Sequence, residues 1–272
     1  MKEYLSRIAD NEKIFEGFHR ISVEIEGKVE KNITPGQFAM IGAVPSKEGV
    51  LLRRPYSIFD AKGKGKKSHL SFFFKVIGKG TKLLSEARAG ENLSLLAPLG
   101  NGFDLFPAKK KHVMIVTGGM GIVPFNLFMK QIGNFEPSGI YSFYGARKKS
   151  QFFFKEIFKK ADKAYFATDD GSLGYKGFVS NLFRQKLEGD KELKDLDPKE
   201  ILVYTCGPRE MIREVSAISE AKGIKCFVSM EESMGCGFGV CLSCVVKSKN
   251  GTEEYTTVCK EGPIFDSKTI LV

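Results

Sequence analysis

Hydrophobic and polar residues alternate over the first third of the chain, a pattern typical of strands that are half buried in a sheet. Within residues 19–26, Ile21, Val23 and Ile25 alternate with polar side chains. The same pattern predicts further strands over 37–44, 54–61, 69–77 and 92–96, with one short helix over 81–87. Glycine-rich turns separate these runs. Residues 1–104 are therefore predicted to form an antiparallel β-barrel or sandwich.

The pattern changes after residue 104, where short apolar runs alternate with helical periodicity. The predicted strands are 112–117, 139–144, 164–167 and 201–205, and the predicted helices are 124–132, 152–160, 177–185 and 209–221. Strands that alternate with helices indicate a parallel sheet covered by helices, with 201–205 as its last strand.

The remaining residues, 226–272, contain only short apolar runs and are rich in glycine and cysteine. A segment of this size does not build a core of its own, and in such segments a metal centre often replaces the core. The sequence thus predicts three domains, over 1–104, 105–225 and 226–272.

Net charge and the distribution of apolar residues limit the kinds of partner that the chain is expected to bind. The 272 residues carry a formal net charge of +10, which fits either a lysine-rich soluble surface or a face that docks an acidic partner or phosphates. The lysines are scattered and no nucleic-acid-binding module is present, so no nucleic-acid partner is expected. We expect no membrane partner and a cytoplasmic protein, because the start lacks the apolar core of a signal peptide and no stretch approaches the ~20 apolar residues of a membrane helix.

Four of the six cysteines form a motif. Cys236, Cys241 and Cys244 have the spacing C-x4-C-x2-C, and Cys259 follows after fourteen intervening residues. This spacing is that of a plant-type [2Fe–2S] cluster, in which a tight loop supplies closely spaced thiolates and a separate segment supplies the fourth. The alternative is a zinc site, which usually shows paired C-x2-C knuckles or cysteine with histidine. Only one such pair is present, and no histidine follows residue 112.

Two further segments are compatible with a flavin nucleotide. The segment Arg54-Pro55-Tyr56-Ser57 offers a guanidinium for a pyrophosphate, an aromatic ring and a hydroxyl, although by itself it could be an ordinary edge strand. A strand ending at Lys75 leads into Gly78–Thr81 and then a helix, and a glycine turn before a helix is an anion site.

A third glycine-rich segment follows the first strand of the predicted sheet. The run Gly118–Ile122 lies between strand 112–117 and a helix, where its backbone N–H groups would hold a pyrophosphate. Cys206-Gly207-Pro208 ends the strand 201–205, at the edge of a parallel sheet where ligands bind. Cys206 is then either a residue of the site or a buried thiol that acts as a small hydrophobe.

Taken in this order, the segments RRPYS, APLGNGF, TGGMGIVPF, CGP and MGCGFGVCLSC resemble the ferredoxin reductase superfamily, and more narrowly the electron transfer subunits of class 1B dihydroorotate dehydrogenases. The resemblance implies an FAD-binding barrel of six antiparallel strands, an NAD-binding α/β domain and a C-terminal [2Fe–2S] domain. It also implies NADH as substrate and an FMN-containing dihydroorotate dehydrogenase catalytic subunit as partner in a heterotetramer.

The resemblance assigns roles to individual residues. Ser57 would hydrogen-bond near flavin N5, Cys206 would lie beside the nicotinamide, and the four motif cysteines, Cys236, Cys241, Cys244 and Cys259, would bind the cluster. The expected FAD contacts are Arg54, Pro55, Tyr56, Ser57, Phe73, Phe74, Lys75, Gly80 and Thr81. The expected NAD(H) contacts are Gly118, Gly119, Met120, Gly121, Ile122, Cys206, Gly207 and Pro208.

Two other functions fit the same features. Subunits of NADH-dependent ferredoxin:NADP oxidoreductases are similar, but their cluster motif carries an aspartate where this chain has Cys236. The second alternative is a redox sensor that uses flavin and cluster as a switch without turnover.

Overall fold

In the computed structural model, which describes residues 1–42, 52–249 and 254–272, six antiparallel strands close into a barrel in the order β1-β2-β5-β4-β3-β6. The strands are β1 (Lys2–Phe15), β2 (Phe18–Glu26), β3 (Phe38–Ile41), β4 (Arg54–Lys64), β5 (Lys67–Lys75) and β6 (Asn92–Leu99), with helix α1 (Lys79–Ser85) between β5 and β6. The alternation predicted for β2 is observed, since Ile21, Val23 and Ile25 point into the barrel and are at most 2% exposed. Residues 43 and 44 of the predicted strand 37–44 lie outside the described residues.

Most of the predicted α/β segment forms a second sheet, whose order is β10-β9-β8-β7-β11-β12-β15. Its elements are β7 (His112–Gly118), α2 (Phe125–Gln131), β8 (Gly139–Ala146), β9 (Lys163–Thr168), β10 (Tyr175–Lys176), α3 (Val179–Gly189), β11 (Ile201–Cys206), α4 (Arg209–Ala221) and β12 (Lys225–Ser229), and the order is completed by β15 (Ile264–Asp266). All neighbouring strands are parallel except β15, which runs antiparallel to β12. A small two-stranded sheet, β13 (Val245–Lys247) and β14 (Tyr255–Thr257), completes the elements.

Two expectations about this sheet were wrong. The strand 201–205 is not the last one, because β12 and β15 extend the sheet beyond β11. Cys226, which was grouped with the cysteine-rich tail, lies in β12, opposite Val203, and is 1% exposed. The burial of Cys226 and Val228 on one face of a five-residue strand explains why β12 belongs to the sheet.

The predicted helix over 152–160 was also wrong. The structure has only short 3-10 turns there, Lys149–Gln151 and Lys155–Lys160. Phe152 and Phe153 are both buried, and Phe152 has an extended backbone, with φ −79° and ψ +96°, which an α-helix does not contain. Phe154 then adopts a left-handed conformation, with φ +51°, which ends any helical run.

The chain divides into two compact units. The first contains residues 1–102, 232–245 and 257–262, and the second contains residues 103–231, 246–256 and 263–272. Both segments that carry the motif cysteines therefore belong to the same unit as the barrel. A separate cluster domain over 226–272 stays a prediction.

Candidate functional site

The cysteine loop is shaped so that backbone N–H groups point at sulfur. The N–H groups of Phe238, Val240 and Cys241 donate to Cys236 Sγ over 3.3–3.4 Å. Burial opposes ionisation of Cys236, but these three donors outweigh it and lower the pKa of the thiol. Gly237 and Gly239, with φ +85° and +87°, give the loop the left-handed turns that this wrapping requires.

The four cysteines group into two neighbouring pairs. The N–H of Cys236 donates to Cys241 Sγ over 3.4 Å, and the Cys244 thiol lies close enough to Cys259 to raise the pKa of that thiol. The Val258 N–H donates to the Cys244 carbonyl over 2.9 Å, which brings the second segment to the loop. A [2Fe–2S] cluster takes two protein ligands on each iron, so two thiol pairs fit it.

The thiols differ in acidity. The Ser243 hydroxyl, 3.2 Å from Cys241 Sγ, is the main cause that lowers the pKa of Cys241 to about 6. Burial and the neighbouring Cys244 raise the pKa of Cys259 to about 12. Thiolates bind metal, so the loop presents ready ligands at Cys236 and Cys241, while Cys259 loses its proton when metal binds.

The barrel brings the two predicted flavin segments together. Arg54, Pro55, Tyr56 and Ser57 are half-buried along β4, opposite β3. A Cβ atom on Gly80 would lie 2.6 Å from Arg54 Nη1, so the α1 turn lies directly against the guanidinium. The cationic side chain and the glycine turn thus form one cradle suited to a pyrophosphate.

The remaining flavin-segment residues have mainly structural contacts. Phe73 and Phe74 are 3% and 2% exposed, and the Phe74 ring packs edge-on against Tyr56 with centroids 5.7 Å apart. Burial raises the pKa of Tyr56 to about 12, which keeps its hydroxyl neutral. Lys75 is exposed. Thr81 Oγ1 accepts the N–H groups of Ile77 and Gly78, so it shapes the turn.

The opposite end of α1 is anchored by the barrel. Asn11 Nδ2, from β1, lies 2.9 Å from the Leu84 carbonyl and 2.7 Å from the Ala87 carbonyl. These bonds satisfy carbonyl groups that have no partner within the helix. No local sequence pattern points to Asn11, because its hydrogen-bond partners are more than 70 residues away along the chain.

In the second unit, the two predicted nucleotide segments pack directly against each other. A Cβ atom on Gly121 would lie 2.6 Å from the Gly207 nitrogen, and one on Gly118 would lie 2.9 Å from Pro208 Cδ. Gly119 and Met120 are partly open to solvent, whereas Ile122 is completely buried and fills the core. Close backbone approach therefore explains the glycines of this turn.

Cys206 lies at the carboxyl end of β11, in register with Thr117 of β7. It is 2% exposed, and burial and the Glu231 carboxylate raise the pKa of its thiol, while a hydrogen bond from Ser229 opposes them. Cys206 is therefore neutral at physiological pH.

Glu231 is a titratable residue that the sequence analysis missed. Its side chain reaches solvent, but the surrounding protein removes part of its hydration and raises its pKa. Its position just after β12 would have identified it, because ligands bind at the carboxyl ends of parallel strands. That signal required β12 to be recognised as a strand of this sheet.

Comparisons with known proteins agree with this arrangement. Residues 231–271 match the model of the iron–sulfur cluster binding domain of dihydroorotate dehydrogenase B, and residues 115–217 match the oxidoreductase NAD-binding domain. The dihydroorotate dehydrogenase B (NAD(+)) electron transfer subunit of Clostridium acetobutylicum is 33% identical over 97% of this chain and 95% of its own length. The chain belongs to this family.

Three further proteins extend the comparison. A dihydroorotate dehydrogenase B electron transfer subunit homolog of Aquifex aeolicus is 30% identical over the whole of both chains. A solved structure of an NADH-dependent reduced ferredoxin–NADP oxidoreductase superposes with a TM-score of 0.80 at 26% identity, over 98% of this chain and 89% of that one. A ferredoxin NADP+ reductase from Neisseria gonorrhoeae, solved with FAD and NADP, shares the fold with a TM-score of 0.65 at 18% identity, over 82% of this chain and 92% of its own.

The predicted family, fold class and cofactor set of FAD, [2Fe–2S] and NAD(H) are confirmed by these matches. The chain is an NAD(H)-linked flavin and iron–sulfur oxidoreductase subunit. The roles of the individual site residues stay predictions. Within the described ranges, no helix has the length and apolar character needed to cross a membrane.

Proposed function

We propose that this chain transfers electrons between NAD(H) and the catalytic subunit of a dihydroorotate dehydrogenase, and that the partner carries FMN and assembles with it as a heterotetramer. The observation that carries the proposal is the two pairs of thiols, Cys236 with Cys241 and Cys244 with Cys259, in the same unit as the Arg54–Gly80 cradle. FAD supplies the exchange between a two-electron hydride and single electrons, which a [2Fe–2S] cluster relays.

The residues of the chain have distinct tasks in this proposal. Arg54 and the Gly80 turn bind the FAD pyrophosphate, and the Ser57 hydroxyl donates a hydrogen bond near flavin N5. The Gly118–Ile122 turn binds the NAD(H) pyrophosphate through backbone N–H groups. Cys206 packs beside the nicotinamide as a neutral thiol, so that no unpaired charge is buried at this position. Hydride transfer requires proximity and orientation rather than an acid or base.

The first experiment tests cofactors and electron path together. The protein is purified anaerobically, assayed for iron, sulfide and flavin, and its absorption spectrum is recorded before and after NADH. We expect flavin bands and a broad iron–sulfur absorption, both bleached by NADH, with two irons per chain as the cluster requires. A colourless protein that contains zinc would refute the proposal.

A second experiment tests the partner. The dihydroorotate dehydrogenase catalytic subunit from the same source is co-expressed with this chain, and NADH-dependent reduction of orotate is measured with each subunit alone and with both. Activity that requires both subunits supports the proposal. The partner assignment is wrong if the two proteins neither copurify nor exchange electrons.

One alternative is favoured by a specific observation. The structural likeness to the NADH-dependent ferredoxin–NADP oxidoreductase, at a TM-score of 0.80, fits a subunit of such an enzyme. The presence of Cys236 favours the dihydroorotate system, and the assay that separates the two is electron transfer to ferredoxin and NADP against transfer to the dihydroorotate dehydrogenase subunit. Steady NADH oxidation with an artificial acceptor would exclude a redox sensor without turnover.

A further inference from the structure

The loop that carries Cys236 lies directly on a barrel strand. Gly237 follows Cys236, and a Cβ atom added to it would lie 3.0 Å from Met40 Sδ and 3.3 Å from Leu99 Cδ1. Met40 is completely buried in β3, where it pairs with Pro55 of the flavin segment. One strand therefore separates the cysteine loop from the flavin segment, and only glycine at 237 permits this approach.

The segment that carries Cys259 is held to the same barrel by Asn101, which follows β6. The Asn101 N–H donates to the Gly262 carbonyl over 2.7 Å, and its side-chain amide donates to the carbonyls of Lys260 and Glu261 over 3.0 and 2.9 Å. Three hydrogen bonds from one residue therefore hold the segment just after Cys259. No other role has been assigned to Asn101.

We propose that Asn101 and the Met40–Gly237 contact are positioning elements, which hold both cysteine segments on the FAD-binding barrel so that electrons pass from flavin to cluster without movement of a separate cluster domain. This inference rests on the proposed function, because it takes the cradle of Arg54 and Gly80 as the FAD site. The inference goes beyond the proposed function, because it assigns the position of the two cysteine segments to two contacts that neither bind a cofactor nor ligate iron.

The first test uses hydrogen exchange on the anaerobically purified holoprotein. In Asn101→Asp, a carboxylate replaces the amide donor and faces two carbonyl oxygens, so two hydrogen bonds are lost and a repulsion is introduced. We expect exchange in residues 257–262 to become faster by about tenfold or more, since each such bond contributes about 1 kcal/mol. The matched control is Asn92→Asp, at the other end of β6, which makes the same charge change away from both cysteine segments.

The second test measures the relay itself. Bleaching of the flavin and of the cluster is followed after rapid mixing with NADH, in buffers of increasing viscosity. We expect flavin-to-cluster transfer to be independent of viscosity in the unmodified protein and slower in Gly237→Ala, with the two proteins compared at equal iron content. The control is Gly27→Ala, which has a similar φ of +95° but no neighbour within 4 Å of its Cβ position.

The outcomes separate the two proposals. If the holoprotein contains iron and is bleached by NADH, but Asn101→Asp exchanges like the unmodified protein or the transfer rate falls in proportion to viscosity, the positioning inference is wrong and the proposed function stands. If no iron–sulfur cluster is bound at all, the proposed function fails first.

Discussion

The hydroxyl of Tyr144 offers a sharp test of how the nucleotide turn is held. Tyr144 is completely buried in β8, and its Oη donates to the Gly119 carbonyl over 3.1 Å. The same oxygen accepts the Phe153 N–H over 3.2 Å. Gly119, at φ +54°, belongs to the turn that we expect to bind the NAD(H) pyrophosphate. Tyr144→Phe therefore removes one contact to that turn and the hydrogen bond that the Phe153 N–H makes to the same oxygen.

The magnitude follows from these two contacts. The bond donated to Gly119 and the bond accepted from Phe153 each contribute about 1 kcal/mol. We expect the free energy of unfolding to fall by about 2 kcal/mol. If half of the lost energy is felt as distortion of the turn, the dissociation constant for NAD(H) rises by about fivefold, since about 1.4 kcal/mol corresponds to a tenfold change.

The matched control is Tyr204→Phe. Tyr204 is equally buried, but its Oη donates to the Asp104 carbonyl over 3.2 Å, outside the turn. We expect a loss of only about 1 kcal/mol in stability and no change in NAD(H) binding. Urea unfolding and calorimetric titration with NAD(H) measure both quantities. Equal effects of the two variants on NAD(H) affinity, or an unchanged affinity in Tyr144→Phe despite lowered stability, would refute the reasoning.

Three further predictions concern the cysteines and the close glycine contact. Cys241→Ser should lower the iron content and abolish transfer to the partner while flavin reduction by NADH proceeds normally, and transfer by a cluster-free sample would contradict the relay. Gly121→Ala should destabilise the second unit by about 1–3 kcal/mol and weaken NAD(H) binding, because the new Cβ meets the backbone at Gly207. The control for urea unfolding is Gly133→Ala, because no atom lies within 4 Å of the Cβ position of Gly133. In cluster-free protein, the lowered pKa of Cys241 means that its thiolate is present above about pH 6, so alkylation mapped by mass spectrometry should be half-maximal near that pH. Cys259, with its pKa near 12, should react only under strongly alkaline conditions. Comparable alkylation rates for both cysteines at pH 7 would contradict this assignment.

Several elements were predictable because their signal is local. The alternation in β2 and the helix α4 over Arg209–Ala221 follow from periodicity within about ten residues, and both are observed. The predicted helix over 152–160 failed because tertiary packing holds Phe152 extended and Phe154 left-handed, which outweighs local helix propensity. The strand β12 was missed because five residues carry little periodic signal and its stability comes from pairing with β11.

The sequence by itself determined the cysteine spacing, the glycine turns and the order of the cofactor segments, since these depend on residues that are near neighbours in the chain. Only the tertiary structure decided that the thiols form two pairs, that Arg54 meets Gly80, and that the cysteine segments belong to the barrel unit. The contact of Asn101 with Lys260 joins residues 159 positions apart. No local pattern encodes such a contact, because it exists only after the barrel strands have closed and the last segment of the chain has packed against them.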